Sequence, residues 1–138
     1  MKPTLSLISR IHEGGNRIIL EMLNENSMSG LVPSHGDILV ILYKYGKMSM
    51  KDIAKRINRT KATVTVLVNK LEKHGYVKRE KSSEDSRLTY ICLTSKGEDF
   101  KEIFLNISTE LNNRLYQNFS EEETEILDKP LQKMVQNI

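Results

Sequence analysis

SMKDIAKRINRTKATVTVLVNKLEKHGYVKREKSSEDSRLTYICL, residues 49–93, is the stretch whose reading decides the fold. Its first helix carries Ile53, Ala54 and Ile57 at helical spacing. A turn at Asn58 leads to a second helix with Val64, Leu67, Val68 and Leu71 inward and Gly75 as its stop. The pattern then changes. Tyr76 to Glu80 and Leu88 to Leu93 read as two strands around the polar tip KSSEDSR. Two short helices, a tight turn and a hairpin form a compact unit.

The charge of this unit sets it apart. From Lys47 to Lys96 there are 13 Lys and Arg against 5 Asp and Glu, a net of +8. Residues 1–46 are balanced, 4 against 4, and residues 97–138 carry 4 against 9. The formal net charge of +3 therefore hides a concentrated positive region, which attracts a polyanion. On a helical wheel of about 100° per residue, Ala62, Thr65, Val66, Asn69 and Lys73 lie opposite Val64, Leu67, Val68 and Leu71. That outward face is small, polar or methyl-bearing, with no acid before Glu72. Such a face enters a major groove about 12 Å wide. Asn69 has the chemistry to pair with an adenine edge, and Ala62, Thr65 and Val66 offer methyl groups to thymine. Ser49 precedes the first helix, while Arg59, Thr60, Lys61 and Thr63 gather at the start of the second, where N–H groups and cations meet phosphates.

The hairpin supplies a second contact. Lys78, Arg79, Lys81 and Arg87 flank the serines of the tip, Ser83 among them. A long cation there suits the minor groove, and Asp85 stands two residues before Arg87, close enough to orient its guanidinium. The expectation is a DNA-binding unit without catalytic chemistry. Its alternatives are a protein-interaction module of the same shape and a switch built on Cys92.

Outside this unit the chain is helical. Leu5, Ile8, Ile18, Ile19, Met22 and Leu23 place one long helix in the first 25 or so residues. Gly14 and Gly15 either kink or restart it, or permit a close backbone approach. A second helix follows Pro33 with Ile38, Leu39, Ile41, Leu42 and Tyr45, and stops near Gly46. A fifth helix carries Phe100, Ile103, Phe104, Ile107, Leu111 and Leu115 on one face. A sixth, after Ser120, carries Ile126, Leu127, Leu131, Met134 and Val135, with a kink or break expected at Pro130. Ser34/Asp37, Ser49/Asp52, Ser95/Glu98 and Ser120/Glu123 share the spacing of a capping box, so these acids read as structural caps.

A chain of 138 residues suits one domain with one core. Its longest apolar run, Ile38 to Tyr43, falls far short of the ~20 residues that span a bilayer. The polar residues Ser6, Ser9, Arg10 and His12 interrupt any signal-like start, and one cysteine rules out an internal disulfide. A cytoplasmic protein without membrane contact is expected. His12, His35 and His74 have no partners at metal-ligand spacing, so neither a metal nor another cofactor is expected.

The central segment resembles the MarR family of bacterial winged helix-turn-helix regulators. The similarity lies in MKDIAKRI, in TVTVLVNKLEKHGYVKR running from helix into wing, in the D-S-R of the wing and in the closing ICLTSKG; SGLVPSHGDILVILYKYG is similar to the family's second helix. Ser86 stands where the family commonly has the first of two basic residues; Arg87 keeps the position of its minor-groove arginine. The resemblance implies a mainly α fold with a small β-hairpin wing: a winged helix-turn-helix core over about 34–97, and dimerisation helices over about 4–28 and 95–138. It implies a homodimeric repressor of double-stranded DNA with a near-palindromic operator. It also implies a small aromatic or lipophilic ligand between dimer helices and core, for which His12, Asn16, Arg17, Met22 and Tyr45 are the candidate lining.

Overall fold

A computed structural model describes residues 1–28 and 30–138. Helix α1 (Thr4–Glu25) leads to α2 (Pro33–Tyr45), the two-residue strand β1 (Met48–Ser49), α3 (Met50–Ile57) and α4 (Lys61–Lys73). Strands β2 (Val77–Lys81) and β3 (Thr89–Leu93) form the wing. Helices α5 (Ser95–Asp99), α6 (Lys101–Leu115) and α7 (Glu121–Gln136) complete the chain. The wing strands fall within a residue of their expected bounds. β1 was not foreseen: it adds a third antiparallel strand, in the order β1-β3-β2, with Met48 opposite Ile91. Two residues are too few for a period to show in the sequence. The expected fifth helix is divided at Phe100 into α5 and α6.

The core lies inside the winged unit. Ile38, Leu39 and Leu42 of α2, Ile53 of α3, and Val64, Val68 and Leu71 of α4 close on Val77 and Ile91 of the sheet. Each such side chain contributes roughly 1.5–3 kcal/mol of burial. Leu23 and Met22 at the end of α1, and Phe104 and Ile107 of α6, attach the flanking helices to this core. Beyond those contacts the flanks are bare. Leu5 and Ile11 of α1 and Ile126 and Val135 of α7 are exposed, and α7 buries no residue.

Two of the four expected Ser caps form. Ser49 Oγ accepts from the Asp52 N–H at 3.2 Å, and Ser120 makes a full capping box with Glu123. The other two are corrected. Pro33 occupies the first turn of α2, so Ser34 lies inside the helix, and His35 Nδ1 accepts from the Val32 N–H instead. Thr94, one residue before Ser95, caps α5 by accepting from the Gly97 N–H.

At the other expected interruptions the helices continue. Helix α1 runs unbroken through Gly14 and Gly15 rather than restarting, and a Cβ at Gly14 would meet nothing within 4 Å. A Cβ at Gly15 would reach Leu111 of α6 at 4.0 Å, an ordinary contact; the tighter helix approach is at Gly36 of α2, where a Cβ would lie 3.3 Å from the Phe104 ring. Helix α7 continues past Pro130 instead of breaking, its proline facing an exposed stretch. No helix among the described residues is long and apolar enough to cross a membrane.

Candidate nucleic-acid interface

Helix α4 is set by its own ends. Thr60 Oγ1 accepts from the Thr63 N–H at 3.2 Å and donates to Thr63 Oγ1 at 3.0 Å, which stops the helix from extending backwards. Asn58 takes the left-handed conformation, φ 55°, and so turns α3 into α4. The four residues read as inward, Val64, Leu67, Val68 and Leu71, are all buried. Lys61, Ala62, Thr63, Val66, Asn69 and Lys73 are exposed, and Arg59 precedes them on the surface. Thr65 is half-buried: its Oγ1 donates back to the Lys61 carbonyl at 2.9 Å, which leaves its methyl as the outward chemistry. Val66 is 69% exposed. A helix surface with so open a β-branched side chain suits contact with thymine methyls.

The wing tip is built by two short side chains. Ser82 Oγ accepts from the N–H groups of Glu84 and Asp85 at 3.2 and 3.3 Å. Asp85 Oδ1 accepts from the Arg87 backbone N–H at 3.0 Å and from its Nε at 3.2 Å. The side chain of Arg87 is nonetheless 90% exposed. It is oriented at its root and free at its end, as a groove-reaching cation needs. Lys81 and Ser83 are exposed beside it.

Several expected residues are placed elsewhere. Ser49 is buried in β1, opposite Tyr90, and its hydroxyl serves the α3 cap, so it is not part of the outer face. The five candidate ligand residues lie in different surroundings. His12 hydrogen-bonds Asn16 at 3.2 Å on α1; Arg17 is exposed; Met22 is in the core. Tyr45 lies on the surface under the Arg56 guanidinium, 3.9 Å from its ring centroid. Such a stack shields the ring without enclosing a ligand. The cleft between α1, α2 and α6 is lined instead by Ile19, Leu23, Gly36, Val40, Phe104 and Leu111 and holds about 220 Å³.

Cys92 points away from Ile91, as strand alternation requires, and its thiol donates to Glu80 Oε2 at 3.3 Å. Burial, with Glu80 beside it, pushes the thiol pKa up. A redox switch needs the thiolate, so this setting opposes one. Among the described residues no three His, Cys, Asp or Glu side chains converge to hold a metal.

Sequence reasoning overlooked the part that Ser82 plays in the wing tip and the pairing of Arg79 with Glu72, 3.8 Å apart, which joins β2 to α4. The available signal was Arg79 itself, a cation two residues after the buried Val77 and so on the same face of β2.

The geometry has counterparts. The sequence profile described as MarR family matches residues 31–89, from the approach to α2 to the first residue of β3. YcgE of Bacillus subtilis, an uncharacterised HTH-type transcriptional regulator, is 33% identical over 114 residues, covering 82% of this chain and 73% of YcgE. The chain belongs to the MarR family of transcriptional regulators. YdgJ of Bacillus subtilis, also an uncharacterised HTH-type regulator, is 29% identical over 126 residues, 91% of this chain and 76% of YdgJ. The crystal structure of Staphylococcus aureus MepR bound to DNA superposes with a TM-score of 0.87 at 28% identity, covering 96% of each chain. In this MarR-family chain, α3 and α4 are the helix-turn-helix and β2–β3 the wing.

Proposed function

We propose that this MarR-family regulator acts as a homodimeric repressor on a near-palindromic operator, with α4 in the major groove and Arg87 of the wing in the adjacent minor groove. The carrying observation is the Asp85–Arg87 arrangement, which holds a guanidinium by its root and leaves its end in solvent at the tip of the wing. Lys61 and Arg59 at the start of α4 supply phosphate contacts, and Thr65, Val66 and Asn69 supply base contacts. The second copy covers the bare apolar faces of α1, α6 and α7, a surface that a monomer in water would not leave open. Two-fold pairing of the cores sets two recognition helices one turn of DNA apart. Repression follows from occupancy, since paired wings over a promoter exclude other proteins.

The test is fluorescence anisotropy on duplex DNA from upstream of the chain's own gene, across a salt series. Affinity should fall linearly with salt on logarithmic axes, as counterions are released. Arg87→Ala should weaken binding by about tenfold, the equivalent of one good groove contact. Absent or salt-insensitive binding, or an Arg87→Ala protein indistinguishable from the parent, would support the protein-interaction reading instead. Binding by Cys92→Ser should match the parent with and without peroxide.

A further inference from the structure

Arg79 occupies a register position that calls for an apolar side chain. In β2 it alternates with Val77, which is buried, and it lies opposite Ile91, which is fully buried in β3. A guanidinium on that face of a sheet must find polar partners. It finds them on α4. Its Nη2 donates to Oδ1 of Asn69 at 2.5 Å, and its Nε lies 3.8 Å from Oε1 of Glu72. These groups are well solvated, so the pairing adds little to stability. Its consequence is geometric. Asn69 is exposed on the outward face of α4, one helical turn after Thr65 and Val66. With its oxygen held by Arg79, turning the amide over would break a charge-assisted bond. Nδ2 is therefore the free end of the amide.

We propose that Arg79 is a positioning residue that presents Asn69 to DNA as a hydrogen-bond donor, so that one position of each half-site takes a base with an acceptor at its major-groove edge. Guanine and thymine offer O6, N7 or O4 there; cytosine offers only a donor and is rejected. Adenine keeps a single bond at N7 but loses the two-bond pairing that would favour it, because the tether to β2 opposes aligning the amide along the base edge. This deepens the DNA-reading assignment: it replaces an adenine contact with an acceptor contact, and it makes a wing strand part of base selection.

The experiment is selection of bound duplexes from a random library by the full chain, followed by sequencing. The parent, Asn69→Ala, Asn69→Asp, Arg79→Lys and Glu72→Gln are compared. Asn69→Ala should flatten preference at one symmetric pair of positions, which locates the contact. Asn69→Asp keeps the partner of Arg79 but presents an acceptor, so those positions should turn toward cytosine by about tenfold. Arg79→Lys keeps the charge and loses the planar fork, so the same positions should shift from the parent's preference toward adenine, whose two-bond pairing becomes available, while the rest of the motif stands. Glu72→Gln should give a weaker form of that change. The proposal is overturned if Arg79→Lys retains the parent's preference where Asn69→Ala loses it. It is also overturned if Asn69→Asp gains no cytosine, or if Asn69→Ala flattens nothing. If Arg79→Lys proves unfolded by thermal melting, the Asn69→Asp result decides alone. A parent that enriches no motif would instead sink the DNA-reading assignment itself.

Discussion

Helices α4 and α7 carry similar numbers of apolar residues and use them differently. In α4, Val64, Leu67, Val68 and Leu71 are all buried against α2, α3 and the sheet. In α7, none of Ile126, Leu127, Leu131, Met134 and Val135 is buried, although the helix is longer and better capped. The same contrast divides α1. Its last turns bury Met22 and Leu23 in the core, while Leu5 is 80% exposed at the other end. The winged unit thus satisfies itself, and the flanks present a surface still to be covered. Charge follows the same division, since the cations gather in the unit and the acids in the C-terminal flank. In the proposed dimer the winged unit meets DNA and pairing is left to the other helices.

Changes confined to one region give the clearest breaks. The largest effect belongs to the winged unit. A Cβ at Gly97 would lie 2.2 Å from the Tyr76 carbonyl oxygen, which is backbone and cannot step aside. Gly97→Ala should cost upwards of about 3 kcal/mol or prevent folding, and urea or thermal unfolding will show it. A midpoint within a degree of the parent would contradict the packing described here.

The next effect is a pH dependence. His35 is buried, its Nδ1 accepts from Val32, and its Nε2 has no partner among the described residues. Burial, then Lys70 and His74, lowers its pKa from 6.5 to about 4. The unfolded chain therefore binds a proton that the folded chain refuses. Stability is fully present above about pH 6.5 and is lost as pH falls towards 4, by up to roughly 3 kcal/mol. Denaturant titrations at several pH values will test this, with His35→Gln losing the dependence. An unchanged slope in that variant would assign the acid sensitivity to another group.

A flank change should act on pairing rather than folding. Ile11 of α1 is 57% exposed and lies beside the cleft lined by Leu115, Phe119 and Leu131. Ile11→Glu should weaken self-association by about tenfold or more, with a core that melts as before. Sedimentation velocity separates the two outcomes, and global unfolding at lower temperature would tie the flank to the core. The smallest contrast compares like with like. Ser49→Ala and Ser120→Ala each remove one cap, worth about 1 kcal/mol. The first should lower the stability of the whole winged unit, and the second only the amide-exchange protection of α7.

The sequence was legible where local pattern and tertiary demand agree. The alternation of inward and outward residues in α4, the hairpin and the Asp85–Arg87 pair all follow from short-range spacing. It was illegible where the deciding contact is remote. The Ser34 cap failed because His35 and Pro33 compete for the same helix start. The Gly14–Gly15 interruption failed because twenty further residues of helix and the docking of Leu23 outweigh two costly glycines. Ser49 looked like a contact residue because its burial depends on β1, which pairs with Tyr90 and Ile91 far along the chain. The contact of Arg79 with Asn69 depends on both register and helix phase, and neither is visible from its neighbours alone.

The central claim is that a self-contained winged reader is paired by its flanking helices. The symmetry of the DNA that the chain selects tests it most directly. Selection from random duplexes should return an inverted repeat whose half-site centres lie about 10 base pairs apart. A single unrepeated half-site, or no preferred sequence, would contradict it.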